Sequence, residues 1–208
     1  MSRTFAVAAT LAVIALLGAS YYLTTGKSSG EFAQCKQGSV AGGASAIGGP
    51  FTLVNGAGET VTSEEVLTKP SLIYFGYTFC PDVCPLDVAR NAVAVEILEE
   101  EGIEVQPVFI SIDPERDTPE VVADFVAAQH PAMVGLTGSP EQVKAASQAY
   151  RTFYSKQPAA PGEEAYYLVD HTTFTYLTLP ERGFVEFFRR DLGPEAMAEQ
   201  VACFVNAS

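Results

Sequence analysis

The sequence predicts an α/β sandwich built on a central mixed sheet, with an N-terminal β-hairpin and one N-terminal helix that crosses a membrane. Three observations carry that prediction. Strand-like and helix-like runs alternate between Ser71 and Tyr150, the pattern of βαβ units. Two more strand-like runs joined by a short turn, then a helical run, close the chain. Ahead of everything, Phe5 to Leu23 carries no charged residue.

That uncharged run is mostly Ala, Val, Leu and Ile and ends in Tyr21-Tyr22. Its length is close to the roughly 20 residues that span a bilayer, and tyrosines suit the membrane interface. Residues 1–23 therefore read as a membrane anchor. The rival reading is a signal peptide cleaved near Gly18, Ala19 and Ser20. Either one exports the rest of the chain. Residues 24–46, rich in Gly, Ser and Ala, cannot bury much surface and read as a linker, leaving 47–208 as one folded domain.

Within the domain, Phe51 to Val54 is strand-like, and Asn55-Gly56 predicts a tight hairpin turn returning through Thr60 to Thr62. Ser63 is placed to cap a short helix ahead of Pro70. Ser71 to Phe79 is a continuous apolar run, as in a strand covered on both faces. The stretch Leu86 to Glu101 sets Leu86, Val88, Ala89, Val93, Ile97 and Leu98 at helical spacing, and Gly102 stops it. Strand Val105–Ile112, helix Thr118–Gln129, strand Met133–Leu136 and helix Ser139–Tyr150 come next. After the Pro158–Gly162 loop come Tyr166–Val169, Thr173–Leu179, Gly183–Arg189 and a final helix Pro194–Val205. Parallel strands with helices, then a hairpin and a helix, with cysteines after an early central strand, form the thioredoxin-like arrangement.

The composition of 208 residues is ordinary for a compact protein, with 48% apolar residues. A net charge of -13 argues against nucleic-acid binding, which needs basic patches. The chemistry concentrates in Tyr74-Phe75-Gly76-Tyr77-Thr78-Phe79-Cys80-Pro81-Asp82-Val83-Cys84-Pro85. Two thiols lie where a helix begins, and a helix N-terminus favours thiolate, so the pair suits a soft metal or a disulfide. Pro81 fits a first helical position, whereas Pro85 lacks an N–H and biases Cys84 away from helical geometry; this predicts a turn ahead of the helix.

Gly76-Tyr77-Thr78-Phe79-Cys80-Pro81-Asp82-Val83-Cys84-Pro85, Asp113-Pro114-Glu115-Arg116-Asp117-Thr118-Pro119 and Val169-Asp170-His171-Thr172, in that order, resemble the Sco/SenC family over about residues 47–206. The resemblance implies a membrane-tethered thioredoxin-like domain that binds copper and helps to assemble cytochrome c oxidase. It implies Cys80, Cys84 and His171 as the metal ligands. Two thiolates and an imidazole suit Cu(I), with Cu(II) as a second state, whereas structural zinc generally takes four ligands. His171 is expected in a loop beside the Cys80 turn. The expected partners are the copper-bearing oxidase subunit, a thioredoxin-like reductase that keeps the thiols reduced, and another copper chaperone. The expected location is a single-pass protein of a bacterial inner membrane with its domain in the periplasm.

Two other readings share the fold. A thiol-disulfide oxidoreductase usually carries two residues between its cysteines, not three, and a proline facing them, where this chain has Asp170-His171-Thr172. A peroxidase needs fewer groups than two thiols and a histidine.

Asp113 and Asp117 read either as a strand-to-helix turn capped by Thr118 or as an acidic docking loop, with Arg116 pairing one carboxylate. Asp82 and Asp170 are either partners of the ligands or solvated turn residues. His130, before Pro131, reads as a helix C-terminal cap stabilised by the dipole. Cys35 and Cys203 would oxidise in an exported chain, to an internal staple or to an intermolecular bridge.

Overall fold

The structure, a computed structural model, describes residues 11–18, 32–36, 46–162 and 164–208. The chain divides into two compact units, Met1–Gln34 and Cys35–Ser208. In the first, residues 11–18 form a helix, α1. No helix among the described residues is long and apolar enough to cross a membrane, and the rest of the predicted anchor lies outside them. Most of the predicted linker does too.

The second unit holds a seven-stranded mixed sheet in the order β2-β1-β5-β4-β3-β8-β9. Inside it lies β3 (Ser71–Gly76), every residue of which is buried. This explains the unbroken apolar run, since a strand covered on both faces has no solvent side on which to alternate. β3 pairs parallel with β4 (Gln106–Ser111), from Ser71 opposite Gln106 to Gly76 opposite Ser111. On its other side it pairs antiparallel with β8 (Thr175–Leu179). β5 (Val134–Thr137) extends the parallel part, and β9 (Gly183–Phe188) completes the C-terminal hairpin with β8.

The N-terminal hairpin, β1 (Thr52–Asn55) and β2 (Thr60–Thr62), forms one edge of the same sheet, with β1 antiparallel to β5. Its turn is wider than Asn55-Gly56 predicts. Asn55 folds back on itself, its Oδ1 accepting from the N–H groups of Ala57 and Glu59, and Gly58 takes the positive φ of +81°. Gly56 matters for packing instead. A Cβ there would stand 2.7 Å from that of Ala123, so its missing side chain admits the neighbouring helix.

That neighbour is α4 (Pro119–Ala127), capped by Thr118 as expected and lying against β5 and β1. The short α2 (Ser63–Val66) is capped by Thr62 rather than Ser63, through a reciprocal box with Glu65. Ser63 instead accepts from Phe51 N–H. α5 (Pro140–Ala149) starts at a Ser139 box closed by Gln142. The long α3 (Val83–Glu100) packs on β3 and β4 and against α6 (Pro194–Asn206). Cys203 of α6 is bonded to Cys35, so the two outlying cysteines form an internal bridge.

Two short strands depart from the sequence reading. β6 (Tyr154–Lys156) is not predicted, and β7 (Val169–His171) begins where the predicted Tyr166–Val169 strand ends. They pair antiparallel as a separate ribbon, Tyr154 opposite His171. Both are three residues long, too short for a period-2 pattern to register. His171 therefore sits at the end of a strand, not in a loop.

Candidate metal centre

β3 ends at Gly76, and the chain runs through Tyr77, Thr78 and Phe79 to Cys80 before α3 begins at Val83. Helix α3 starts earlier than predicted, and Cys84 lies inside its first turn. Pro85 is tolerated because the N–H groups of a first turn have no intrahelical acceptor, so its missing donor costs no bond. The turn folds so that Cys84 N–H points at Cys80 Sγ, 3.3 Å away.

Cys80 and Cys84 are free thiols and both are buried, Cys84 completely. His171 reaches them from β7: its Nε2 is 3.3 Å from Cys84 Sγ. Its Nδ1 is 2.9 Å from the Thr172 carbonyl. A carbonyl only accepts, so the ring proton resides on Nδ1 and Nε2 keeps its lone pair facing the thiols. Potential ligand atoms of Cys80, Cys84 and His171 all lie within 4.8 Å of one another. The three predicted site residues thus converge, and a backbone acceptor orients the imidazole as is usual for metal-binding histidines.

The two thiols differ electrostatically. Burial pushes the Cys84 thiol well above its ordinary range. Burial opposes ionisation at Cys80 as well, but hydrogen bonds from the Cys84 side chain and from the backbone of Asp82, Val83 and Cys84 outweigh it and lower the pKa. Burial also lowers the pKa of His171, favouring the neutral ring.

Sequence reasoning assigned no role to the groups that shape this pocket. A Cβ on Gly76 would come within 2.8 Å of the Tyr74 ring and 3.2 Å of Cys84 Sγ, so this glycine leaves room for the thiol. The rings of Tyr74 and Tyr77 meet His171 edge-on, with centroids 6.1 and 5.9 Å away. Tyr74 is anchored by its hydroxyl, which donates to buried Asp87 at 3.0 Å. Tyr77 OH accepts from Val169 N–H at 3.3 Å, tying the cysteine segment to the histidine strand. The aromatic run was visible in the sequence; its partners were not.

The two aspartates of the acidic loop are internal, whereas its Glu115 is exposed. Asp113 and Asp117 are both buried and cannot form an exposed docking surface. Asp117 accepts from Thr78 N–H at 3.0 Å, from Thr78 Oγ1 at 2.6 Å and from Ser111 Oγ, bracing the segment before Cys80. Burial raises its pKa despite these bonds. Asp113 pairs with Arg116, the pairing the sequence suggested. Asp82 and Asp170 are exposed; Asp170 accepts from Gln157, and Asp82 makes no side-chain cap bond. His130 does not cap helix carbonyls with its ring; Nδ1 accepts from Ala132 N–H at 3.1 Å.

A family model described as SCO1/SenC matches residues 39–206. Protein SenC of Rhodobacter capsulatus is 51% identical over 208 residues, covering 99% of this chain and 92% of that protein. The human mitochondrial SCO1 homolog is 40% identical over 158 residues, covering 75% of this chain and 52% of its own length. Among solved structures, Arabidopsis thaliana ScoI with copper bound superposes with a TM-score of 0.72 at 40% identity, covering 77% of this chain and 99% of that one. Yeast Sco1 with copper bound gives 0.72 at 37% identity, covering 78% and 90%. The match spans all three motifs and the thioredoxin-like mixed sheet that presents them, and the chain belongs to the SCO1/SenC family.

Proposed function

We propose that this chain is a copper metallochaperone that holds copper through Cys80, Cys84 and His171 and delivers it to the copper site of cytochrome c oxidase during assembly. The observation that carries this is the convergence of two free thiols and an unprotonated imidazole nitrogen in one pocket. A set of two sulfurs and one nitrogen is soft and one ligand short of a structural zinc site, so it suits Cu(I), with Cu(II) as a second state. Copper-bound relatives of the same fold support the choice of metal. Three ligands rather than four also leave room for an incoming thiolate of an acceptor, so copper can pass by ligand exchange.

The partners in this reading are the copper-bearing oxidase subunit, a thioredoxin-like reductase and another copper chaperone as donor. The domain organisation is an anchor over 1–23, a linker over 24–46 and a copper-binding domain over 47–208. So organised, the chain is a single-pass protein of a bacterial inner membrane with its domain in the periplasm.

A second reading, reduction of disulfides at the acceptor site, is favoured by the asymmetry of the thiols. Cys80 has a lowered pKa and Cys84 a raised one, the division between attacking and resolving cysteines.

Anaerobic titration of the protein with its Cys80–Cys84 dithiol reduced separates the two. Tight one-to-one copper binding, abolished by Cys80→Ser or Cys84→Ser and weakened by His171→Ala, is expected. Absence of binding together with rapid disulfide reduction would move the protein to the oxidoreductase class.

A further inference from the structure

Among the described residues, Arg116 joins the acidic loop to both segments that carry the ligands. Its Nε donates to Asp113, and its Nη1 donates to the Ala165 carbonyl at 3.3 Å. The guanidinium carbon stands 3.6 Å from the centre of the Tyr167 ring, 4.9 Å from that of Phe79 and 5.7 Å from that of Tyr77. Nη2 is buried and has no hydrogen-bond acceptor. An unpaired guanidinium N–H away from water is costly, so its placement among three rings has to be accounted for by the rings themselves.

Each ring leads to the metal pocket by a different path. Phe79 directly precedes Cys80. Tyr77 packs its edge on His171 and holds Val169 N–H. Tyr167 lies just ahead of β7, the strand that ends in His171, and its hydroxyl donates to Asp113 at 2.6 Å, the carboxylate that also holds Arg116. The thiol turn and the histidine ribbon belong to separate sheets. Three residues join His171 to Thr175 of β8, which pairs with Tyr74 of β3, so the main sheet brings the two segments together; side chains between them refine their spacing, and Arg116 stands over three of those side chains.

We propose that Arg116 is a positioning residue for the metal centre: it sets the distance of His171 from the two thiols by clamping Tyr77, Phe79 and Tyr167. The proposal rests on the reading that Cys80, Cys84 and His171 hold copper. It requires a planar cation, because lysine offers a point charge that can pair with Asp113 but cannot lie flat between rings.

The test uses the full chain with the dithiol reduced and four variants: Arg116→Met, Arg116→Lys, His171→Ala, and the double variant Arg116→Met/His171→Ala. Cu(I) affinity is measured by competition with a chelator, and the His171 ring nitrogens and protons are followed by NMR in the metal-free protein. Arg116→Met is expected to weaken Cu(I) binding by about tenfold or more, the usual effect of removing a group that orients a ligand. In the His171→Ala background the same change is expected to have no further effect, and the metal-free Arg116→Met protein should show shifted or broadened His171 ring signals. Arg116→Lys, which keeps the ion pair and guards against loss of the fold, should shift those signals as well. A loss of affinity that persists undiminished without His171, or ring signals unchanged in both Arg116 variants, would overturn the proposal. If the unmutated chain bound no Cu(I), the copper reading would fail, and the ring signals alone would decide the role of Arg116.

Discussion

Gly76 has no side chain, yet it shapes the pocket that Cys80, Cys84 and His171 share. The space its Cβ would occupy is already bounded by the Tyr74 ring and Cys84 Sγ. Gly76→Ala should overpack a buried strand end, costing about 1–3 kcal/mol in stability. It should also push the Cys84 thiol off its position, so that Cu(I) affinity falls by about tenfold or more. Chemical denaturation and chelator competition read the two effects separately. His171 carries a pH signature. Burial depresses its pKa below the ordinary 6.5. The unfolded chain then binds a proton that the folded protein resists. Stability contributed by the neutral ring is therefore present above about pH 6.5, declines as the pH falls below it, and levels off once the folded value is passed. The metal-free protein should lose more stability between about pH 7 and pH 5 than His171→Gln does; equal losses in a denaturation series would show that the ring does not contribute. The identity of Cys80, Cys84 and His171 as candidates was legible in the sequence through the resemblance of three separated motifs to the Sco/SenC family. The orientation of the imidazole was not, because it depends on the carbonyl of Thr172.

Element by element, the strands were easier to read than the faces of the helices. Leu86 and Val93, two of the apolar residues at helical spacing in α3, are 61% and 40% exposed, while Asp87 and Asn91 are buried. The inversion has a physical cause: the polar pair is satisfied inside. Asp87 accepts from Tyr74 OH and lies 3.6 Å from Arg190 Nε, and Asn91 accepts from Thr175 Oγ1 at 3.0 Å. A pattern that counts apolar residues cannot anticipate a buried carboxylate whose partners come from β3 and the segment after β9. Asp117 is the same lesson in a loop. The sequence reads it either as part of a strand-to-helix turn or as part of a docking loop; it binds the segment ahead of Cys80 to the end of β4. Asp117→Ala would strand two donors of Thr78 and one of Ser111. It should cost about 3 kcal/mol in urea unfolding, with Asp117→Asn recovering part of the loss. A variant as stable as the unmutated protein would show that the brace contributes nothing.

On the scale of the whole molecule, the bridge between Cys35 and Cys203 closes 168 residues. In the chain-entropy description a loop of that length stabilises the folded state by about 5 kcal/mol. Cys35→Ser and Cys203→Ser should each lower the unfolding midpoint by the same amount, and the double variant by no more than either single one. Copper affinity should not change in any of them. A loss of copper binding in the bridge variants would mean that the staple and the metal site are coupled. The sequence by itself determined the class of fold, the order of the main strands and helices along the chain, the position of the reactive thiols and the residues to suspect as ligands. The fold and the thiols depend on local patterns: continuous apolar runs, capping residues, and cysteines at the end of a strand; the suspected ligand set rests on the resemblance of three separated motifs to the Sco/SenC family. Tertiary structure alone decided that His171 ends a ribbon strand, that Asp113 and Asp117 of the acidic loop are buried, that α3 turns its Asp87 inward, and that Arg116 stands among three rings. Each of these depends on which distant segment supplies the partner for a polar or charged group, and that choice is made only when the sheet and the ribbon are brought together.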